Sequence, residues 1–354
     1  MMSNTTPASS AIFTSIPDRI PLDAVVGLLR ETYGIECAAL ERLSGERDQN
    51  YRVVDSEGRA FVCKITHPSE PRIVTDLQTS VFRHLAAAIP ALPVQHLVPT
   101  LTGADATTVD EAVVRVFTYL RGTPMHLVAP SKDMRSALGT VHARLDRVLA
   151  QLSMDVPQHD LLWDLTHFAR IRTLLKHIGN TKHRTMAERY FSLYEKSAAP
   201  YLGSLHAQLI HNDLNPHNVL VDPASGEIIG ILDFGDLVCA PRIYDVAVAA
   251  SYFMPSGEAP LSHVADYLRA YHSESPLSDQ EIGVLYPLII ARLVMTVAIT
   301  EWRAGLHPEN RDYILRNNAR AWAGLLQAVD LSYCQASSYL HEACAANPSP
   351  DSST

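Results

Sequence analysis

The sequence contains no C-x-x-C pair, no G-x-x-x-x-G-K-[ST] loop and no excess of positive charge. Its five cysteines, Cys37, Cys63, Cys239, Cys334 and Cys344, are odd in number and widely spaced. That argues against a disulfide frame or a cysteine-bound zinc and reads as reduced thiols in a cytoplasmic protein. Without a Gly-Lys phosphate loop, the P-loop class of nucleotide enzymes is excluded. A formal net charge of −9 offers no basic face to a phosphate backbone, so no nucleic-acid partner is expected. The opening residues, MMSNTTPASS, carry neither the basic nor the apolar region of a secretory leader. The longest apolar run, Gly283 to Thr300, is interrupted by Pro287 and Arg292. A membrane span of about 20 residues seldom carries such an arginine. The expectation is therefore a buried core helix and no membrane partner.

What is present fits a two-lobed globular chain. With 354 residues the sequence is too long for one ordinary core, and a hydrophobic fraction of 47% is normal for a folded protein. Helical spacing over Pro21–Tyr33 gives way to period-two stretches at Ala38–Leu43, Tyr51–Val54 and Arg59–Ile65. The last two are joined at turn-favouring Asp55, Ser56 and Gly58. An amphipathic helix over Thr75–Ala88 and strands near Leu97–Gly103 and Glu111–Leu120 complete a compact β-β-β-α-β-β order. Beyond Arg121 the pattern is mostly helical: Lys132–Leu149, a long region from Trp163 to Lys196, Arg242–Phe253, Leu261–His272, the Gly283 run and Ala319–Tyr333. Period two returns briefly around Leu209–Asp236. The fold class is α+β, with a small antiparallel β lobe over residues 1–120 and a larger, mostly helical lobe over 121–354.

The polar knot His211-Asn212-Asp213-Leu214-Asn215-Pro216-His217-Asn218 runs directly into an apolar strand. It reads as an ornate turn, as a metal cage built on His211 and His217, or as an active-site loop. The flanking apolar segments NVLVD and IIGILDF are joined by the turn PASGE. A hairpin there would bring Asp213 and Asn218 to the same end as Asp233. Asn218 and Asp233 offer the hard oxygen ligands that Mg²⁺ takes. Asp213 would then be left to accept a proton from an attacking hydroxyl, as in phosphoryl transfer. In FVCKI, Lys64 is a charge inside an apolar strand, sharing a face with Val62. It is either an edge-strand lysine in solvent or the partner of an anion such as a nucleotide phosphate. Ser44-Gly45-Glu46-Arg47-Asp48-Gln49-Asn50 is either a flap over those phosphates, with Ser44, Gly45 and Gln49 in contact, or an ordinary loop between strands.

HNDLNPHNVLVD, ILDFGD and PRIYDVAVA together resemble the aminoglycoside phosphotransferase and choline kinase superfamily, relatives of protein kinases. The resemblance spans Ser44 to about Arg303. It implies a protein-kinase-like fold in which Asp213 is the catalytic base, Asn218 and Asp233 bind magnesium, and Lys64 contacts nucleotide phosphates. Phe117–Leu120, including Tyr119, would be the hinge beside the base of ATP or GTP. His211 and Asp245 would brace the loop, and His142 would pack. LSGERDQNYRV, FVCKI and DLQTSVFRHL look most like the hydroxylysine kinase branch. This implies a hydroxylated amine or hydroxy-amino acid as acceptor, with 5-hydroxylysine the named candidate. Asn212 stands where relatives often have Gly. Gln78 stands where many kinases place the Glu that pairs with the strand lysine, which puts that salt bridge in doubt. Protein kinases themselves are disfavoured, since the interval from Asp233 to Asp245 leaves no room for an activation loop.

An amino-acid acceptor needs a carboxylate for its ammonium group and an Arg for its own carboxylate. Asp236, Arg292, Glu301 and Trp302 are the candidates, each equally a surface or packing residue. Homoserine, choline and aminoglycosides remain alternative acceptors, and a nucleotide-binding pseudokinase remains a different class of reading. Nothing in the sequence speaks to oligomeric state.

Overall fold

The computed structural model describes residues 20–43, 48–152, 161–254 and 259–346. The chain divides into two compact units. The first comprises Met1–Gly122 with Leu152–Leu161 and Ile229–Gly235, and the second comprises Thr123–Gln151, Leu162–Ile228 and Asp236–Thr354.

The first unit is a sheet held between two helices. In chain order it contains α1 (Leu22–Tyr33), β1 (Cys37–Leu43), β2 (Gln49–Asp55), β3 (Ala60–Ile65), α2 (Arg72–Ala88), β4 (Leu97–Val98), β5 (Thr107–Val109) and β6 (Ala112–Thr118). Helix α1 stops at Gly34, whose φ of +67° lets the Gly34 and Ile35 N–H groups return to the carbonyls of Arg30 and Leu29. The strands pair antiparallel in the order β1-β2-β3-β6-β4, with β5 also on β6. Val25, Leu29 and Tyr33 of α1 pack on Tyr51, Val53, Cys63, Ile65, Val114 and Val116. On α2, Phe82 meets both Phe117 and Phe234, each at 4.8 Å between ring centres. Strand β6 is central and buried almost throughout, which explains its near-continuous apolar sequence. Two expectations shift at the edges. Helix α2 begins at Arg72 rather than Thr75, and the strand near Leu97 is only two residues long.

The second unit is mostly helical. It contains β7 (Thr123–Pro124), α3 (Lys132–Leu149), α4 (Phe168–Ile171), α5 (Thr181–Ser197), α6 (Ala199–Leu202), β8 (Ala207–Ile210) and β9 (Val219–Val221). After β10 (Ile228–Ile231), most of which belongs to the first unit, come β11 (Val238–Pro241), α7 (Arg242–Ser251), α8 (Ser262–Glu274) and α9 (Asp279–Leu306). The last described helices are α10 (Arg311–Ile314), α11 (Asn318–Gln327) and α12 (Tyr333–Ala345). The expected helix over Lys132–Leu149 forms with those bounds, opened by Ser131, whose Oγ accepts the Met134 N–H. The expected helical region from Trp163 to Lys196 is a succession of short turns, α4 and α5, because Asp164 and Asn180 each cap a new start. Likewise the run Ala319–Tyr333 stops at Gln327, and a capping box of Ser332 with Gln335 starts α12.

Helix α9 is the core of this unit. A capping box of Ser278 and Glu281 opens it. It is long and apolar enough to cross a membrane, yet 94% of its most apolar window is buried inside the protein. Helices α3 and α8 pack together at Gly139, where a Cβ would collide with the carbonyl oxygen of Tyr267. Because the obstacle is backbone, neither helix can relieve it by a rotamer change. Gly139→Ala is expected to cost about 1–3 kcal/mol, read as a lower urea midpoint at unchanged slope. A midpoint equal to that of the wild type would contradict this.

Candidate functional site

The loop His211–Asn218 leaves β8, which pairs antiparallel with β11. Helix α7 follows β11 without a break and carries Asp245 in its first turn, where a carboxylate suits the helix dipole. Asp245 is fully buried. Its Oδ2 accepts the His211 N–H at 2.8 Å and its Oδ1 the Asn212 N–H at 2.9 Å. These two bonds fix the entry of the loop. Asn212 then turns through φ +65°, a left-handed conformation that Asn tolerates and Gly prefers.

Asp213 is the focus of the loop. Its Oδ2 accepts from Asn215 Nδ2 and from Asn218 Nδ2, both at 2.9 Å. The second Asn218 contact is to the Asp213 carbonyl oxygen at 3.0 Å. On the other side, Arg292 Nη2 lies 3.4 Å from Asp213 Oδ1. The metal-cage reading of the two histidines does not survive. His211 Nδ1 faces the Asp213 N–H at 3.3 Å, while His217 stacks on His126 at 3.9 Å and meets Asn317 at 3.4 Å.

Behind the loop lies a buried polar cluster. His142 Nε2 sits 3.4 Å from Asp245 Oδ2 and 3.5 Å from Asp146 Oδ2, and its Nδ1 pairs with the Tyr267 hydroxyl at 2.7 Å. Tyr271 donates to Asp146 Oδ2 at 2.6 Å. Burial pushes the Asp146 carboxyl up to about 7, with His142 pulling against the shift and Asp245 adding to it. Burial alone would lower His142, but the Asp146 charge and the Asp245 hydrogen bond outweigh it and raise it. The donors of His142, Asp146 and Asp245 lie within 4.8 Å of one another, a spacing that could hold an ion. Each residue is already engaged with Tyr267, Tyr271 or the loop backbone, so the cluster works as scaffold.

In the first unit, Lys64 is half-buried on β3. Its Nζ lies 3.2 Å from Asp48 Oδ2 and 3.8 Å from Asp233 Oδ1. Asp48 is itself held by the His67 N–H at 3.0 Å. Gln78 does not meet Lys64; its Oε1 accepts from Arg115 Nη2 at 2.8 Å. Arg115 stands opposite Lys64 in the β3–β6 register and is fully buried, with burial lowering its guanidinium to about 10. Two cations side by side repel, and the pair is accommodated by Asp48 on one and the Gln78 amide on the other. Sequence reasoning missed Arg115 and Asp48. Arg115 carries the same signal that marked Lys64, a charge inside an apolar strand.

The remaining candidates fall in different places. Ser44 and Gly45 lie outside the described residues. Gln49 is buried, and its Oε1 accepts the Ile20 N–H at 3.3 Å. Strand alternation gives it the core face, so Asn50 rather than Gln49 shares the face of Lys64. Tyr119 follows β6, its N–H donating to the Ala60 carbonyl at 3.2 Å and its ring under Arg52 at 5.2 Å. Asp236, Glu301 and Trp302 are half-buried. Glu301 lies about half a turn round α9 from Arg292, so the two do not share a helix face.

Asp233 follows β10 at φ +60°, and its side chain is 56% exposed. Asn218 commits its amide N–H groups to Asp213, which leaves its Oδ1 as the group to offer. The Asn218 amide oxygen and the Asp233 carboxylate are each, taken singly, a hard-oxygen donor of the kind that a divalent cation such as Mg²⁺ takes. Asp213 and Asn218 belong to the second unit, Lys64 and Asp233 to the first.

The buried cluster makes stability depend on pH. Asp146 and His142 both hold protons more tightly when folded than when unfolded. The Asp146 contribution is therefore full below the ordinary carboxylate range and is lost as pH rises to about 7, and that of His142 is lost above the ordinary imidazole range. Asp245, which burial would raise but His142 holds low, loses its contribution only as pH falls below the carboxylate range. Asp146→Asn is expected to flatten the change in thermal midpoint between pH 5 and pH 8, at roughly those values. An unchanged pH dependence would contradict this assignment.

Comparison with known proteins shows the family and the fold. The profile of the phosphotransferase enzyme family matches residues 39–280. The chain is 27% identical to a hydroxylysine kinase of Xenopus laevis over 87% of its length and 90% of that protein. It is 28% identical to the hydroxylysine kinase of Danio rerio over 84% of its length and 90% of that protein. Among solved structures, a microcompartment-associated aminopropanol kinase superposes with a TM-score of 0.67 at 18% identity, covering 92% of this chain and 99% of that one. The amicoumacin kinase hAmiN, solved with AMP-PNP, Ca²⁺ and Ami, gives 0.65 at 15% identity, covering 89% and 97%. These likenesses bear out the expected α+β, two-lobed kinase-like fold. From the matched 39–280 span, this chain belongs to the phosphotransferase enzyme family.

Proposed function

We propose that this phosphotransferase moves the γ-phosphoryl group of ATP or GTP to a hydroxyl group of an amino compound, with 5-hydroxylysine the best-supported acceptor. The observation that carries the reading is the Asp213 carboxylate, oriented by the Asn215 and Asn218 amides on a loop pinned by Asp245. The names and coverage of the curated relatives support the acceptor.

In this reading the acceptor hydroxyl donates its hydrogen bond to Asp213. The oxygen's lone pair forms the new O–P bond while the bond from phosphorus to the β–γ bridging oxygen breaks. The nucleoside diphosphate leaves with that electron pair, and the hydroxyl proton passes to Asp213. Transfer of this kind has a loose transition state, so orientation and charge stabilisation do most of the work. Lys64, held by Asp48, presents its ammonium group to the phosphates, and the Tyr119 segment lies beside the nucleotide base. Asn218 and Asp233 would hold Mg²⁺, which neutralises polyphosphate charge.

Asp213→Asn is expected to lower turnover by roughly 100- to 10,000-fold while nucleotide binding persists; near-normal kcat would remove Asp213 from the role. Asp48→Asn should weaken the apparent affinity for nucleotide roughly 3- to 10-fold, because Lys64 loses the carboxylate that orients its ammonium group. An unchanged nucleotide KM would mean that Asp48 does not position Lys64. A panel of 5-hydroxylysine, homoserine, choline, ethanolamine and kanamycin, each with ATP and GTP, tests the acceptor. Turnover highest on 5-hydroxylysine is the expected result. Preference for another acceptor would replace it, and nucleotide binding without turnover on any would favour a pseudokinase.

A further inference from the structure

Arg292 is the one charge in the interior stretch of α9 from Gly283 to Thr300. Its side chain is only 3% exposed, whereas that of Asp213 is 24% exposed. A buried guanidinium is costly unless charge and hydrogen bonds compensate it. Its carboxylate partner among the described residues is Asp213, at 3.4 Å from Nη2. Nη1 donates to the Trp163 carbonyl at 2.8 Å, and the guanidinium lies 5.1 Å from the Trp163 ring.

The arrangement is directional. The neutral amides of Asn215 and Asn218 take Oδ2 of Asp213, and the cation takes Oδ1. At 3.4 Å that contact is longer than a tight charge-assisted bond of about 2.8 Å. Arg292 approaches from the interior while the carboxylate meets solvent. A residue enclosed in this way is poorly placed to receive a carboxylate from a diffusing substrate, the part an arginine here would otherwise suggest.

We propose that Arg292 is a positioning residue for the transfer, acting through Asp213: it holds the carboxylate from behind and offsets its negative charge as the anionic phosphoryl group approaches. The inference rests on the reading of Asp213 given above, and the acceptor O–P bond made and the bond to the β–γ bridging oxygen broken are those described there.

The test is kinetic, on Arg292→Met, Arg292→Lys and Arg292→Ala, with folding checked by circular dichroism. Transfer is followed to 5-hydroxylysine, to ethanolamine (which lacks a carboxylate) and to water as nucleotide hydrolysis. The expected result is a kcat lowered roughly 100-fold in Arg292→Met on all three, with the KM for each amine nearly unchanged. Arg292→Lys should recover part of the rate, and added guanidinium should partly restore Arg292→Ala. If only the KM for the hydroxylated amino acid changed, with ethanolamine unaffected, Arg292 would be a substrate-carboxylate ligand and the proposal would be overturned. An unchanged kcat would overturn it as well. If Arg292→Met does not fold, Arg292→Lys and the guanidinium response still decide. If the wild type transfers to no amine, the acceptor reading fails while hydrolysis still reads Arg292. A wild type without any turnover overturns both.

Discussion

A single buried carboxylate, that of Asp245, accepts the N–H groups of His211 and Asn212, and the geometry of the polar loop follows from those two bonds. Removing them would leave two backbone donors unpaired in the interior, at about 1–3 kcal/mol each. With them in place the chain can adopt the left-handed turn at Asn212, which aims Asp213 toward the Asn215 and Asn218 amides. The anchor needs its own support. His142 stands between Asp245 and Asp146, Tyr271 bonds Asp146, and Tyr267 bonds His142. This also explains the Gly139 contact, since α3 carries His142 and Asp146 while α8 carries both tyrosines. The two helices must lie close for the cluster to close.

The first unit solves a different electrostatic problem. Lys64 and Arg115 face each other across β3 and β6. A Glu at position 78 could reach only part of that charge. In its place the amide of Gln78 serves Arg115, and the carboxylate comes from Asp48, ahead of β2. The departure at Gln78 is thus a redistribution of partners rather than the loss of one.

Much of this is legible in the sequence, for identifiable reasons. The bounds of α3 can be read directly because its apolar positions repeat every three to four residues and its flanks change abruptly. The β2–β3 hairpin is legible from its turn residues. Boundaries fail where short polar caps compete with periodicity: Asp164, Asn180 and Ser332 each interrupt a run that looks continuous by hydrophobicity alone. In the site, Asp213, Asn218 and Asp245 stand out as clustered motifs. Asp48 does not, because only the folded hairpin brings it against Lys64. Gln49 is misplaced by one residue of alternation, enough to move a strand side chain to the opposite face. Arg292 is conspicuous as a charge in an apolar helix, but its orientation behind Asp213 depends on how α9 packs.

Whether Asp213 directs a phosphoryl group onto an acceptor hydroxyl is tested most directly by the product itself. Phosphorus–proton correlation NMR after incubation with 5-hydroxylysine, ATP and Mg²⁺ identifies it. The expected result is a phosphorus signal coupled to the proton on the carbon that bore the hydroxyl. Release of inorganic phosphate alone, or phosphorus attached through nitrogen, would contradict it.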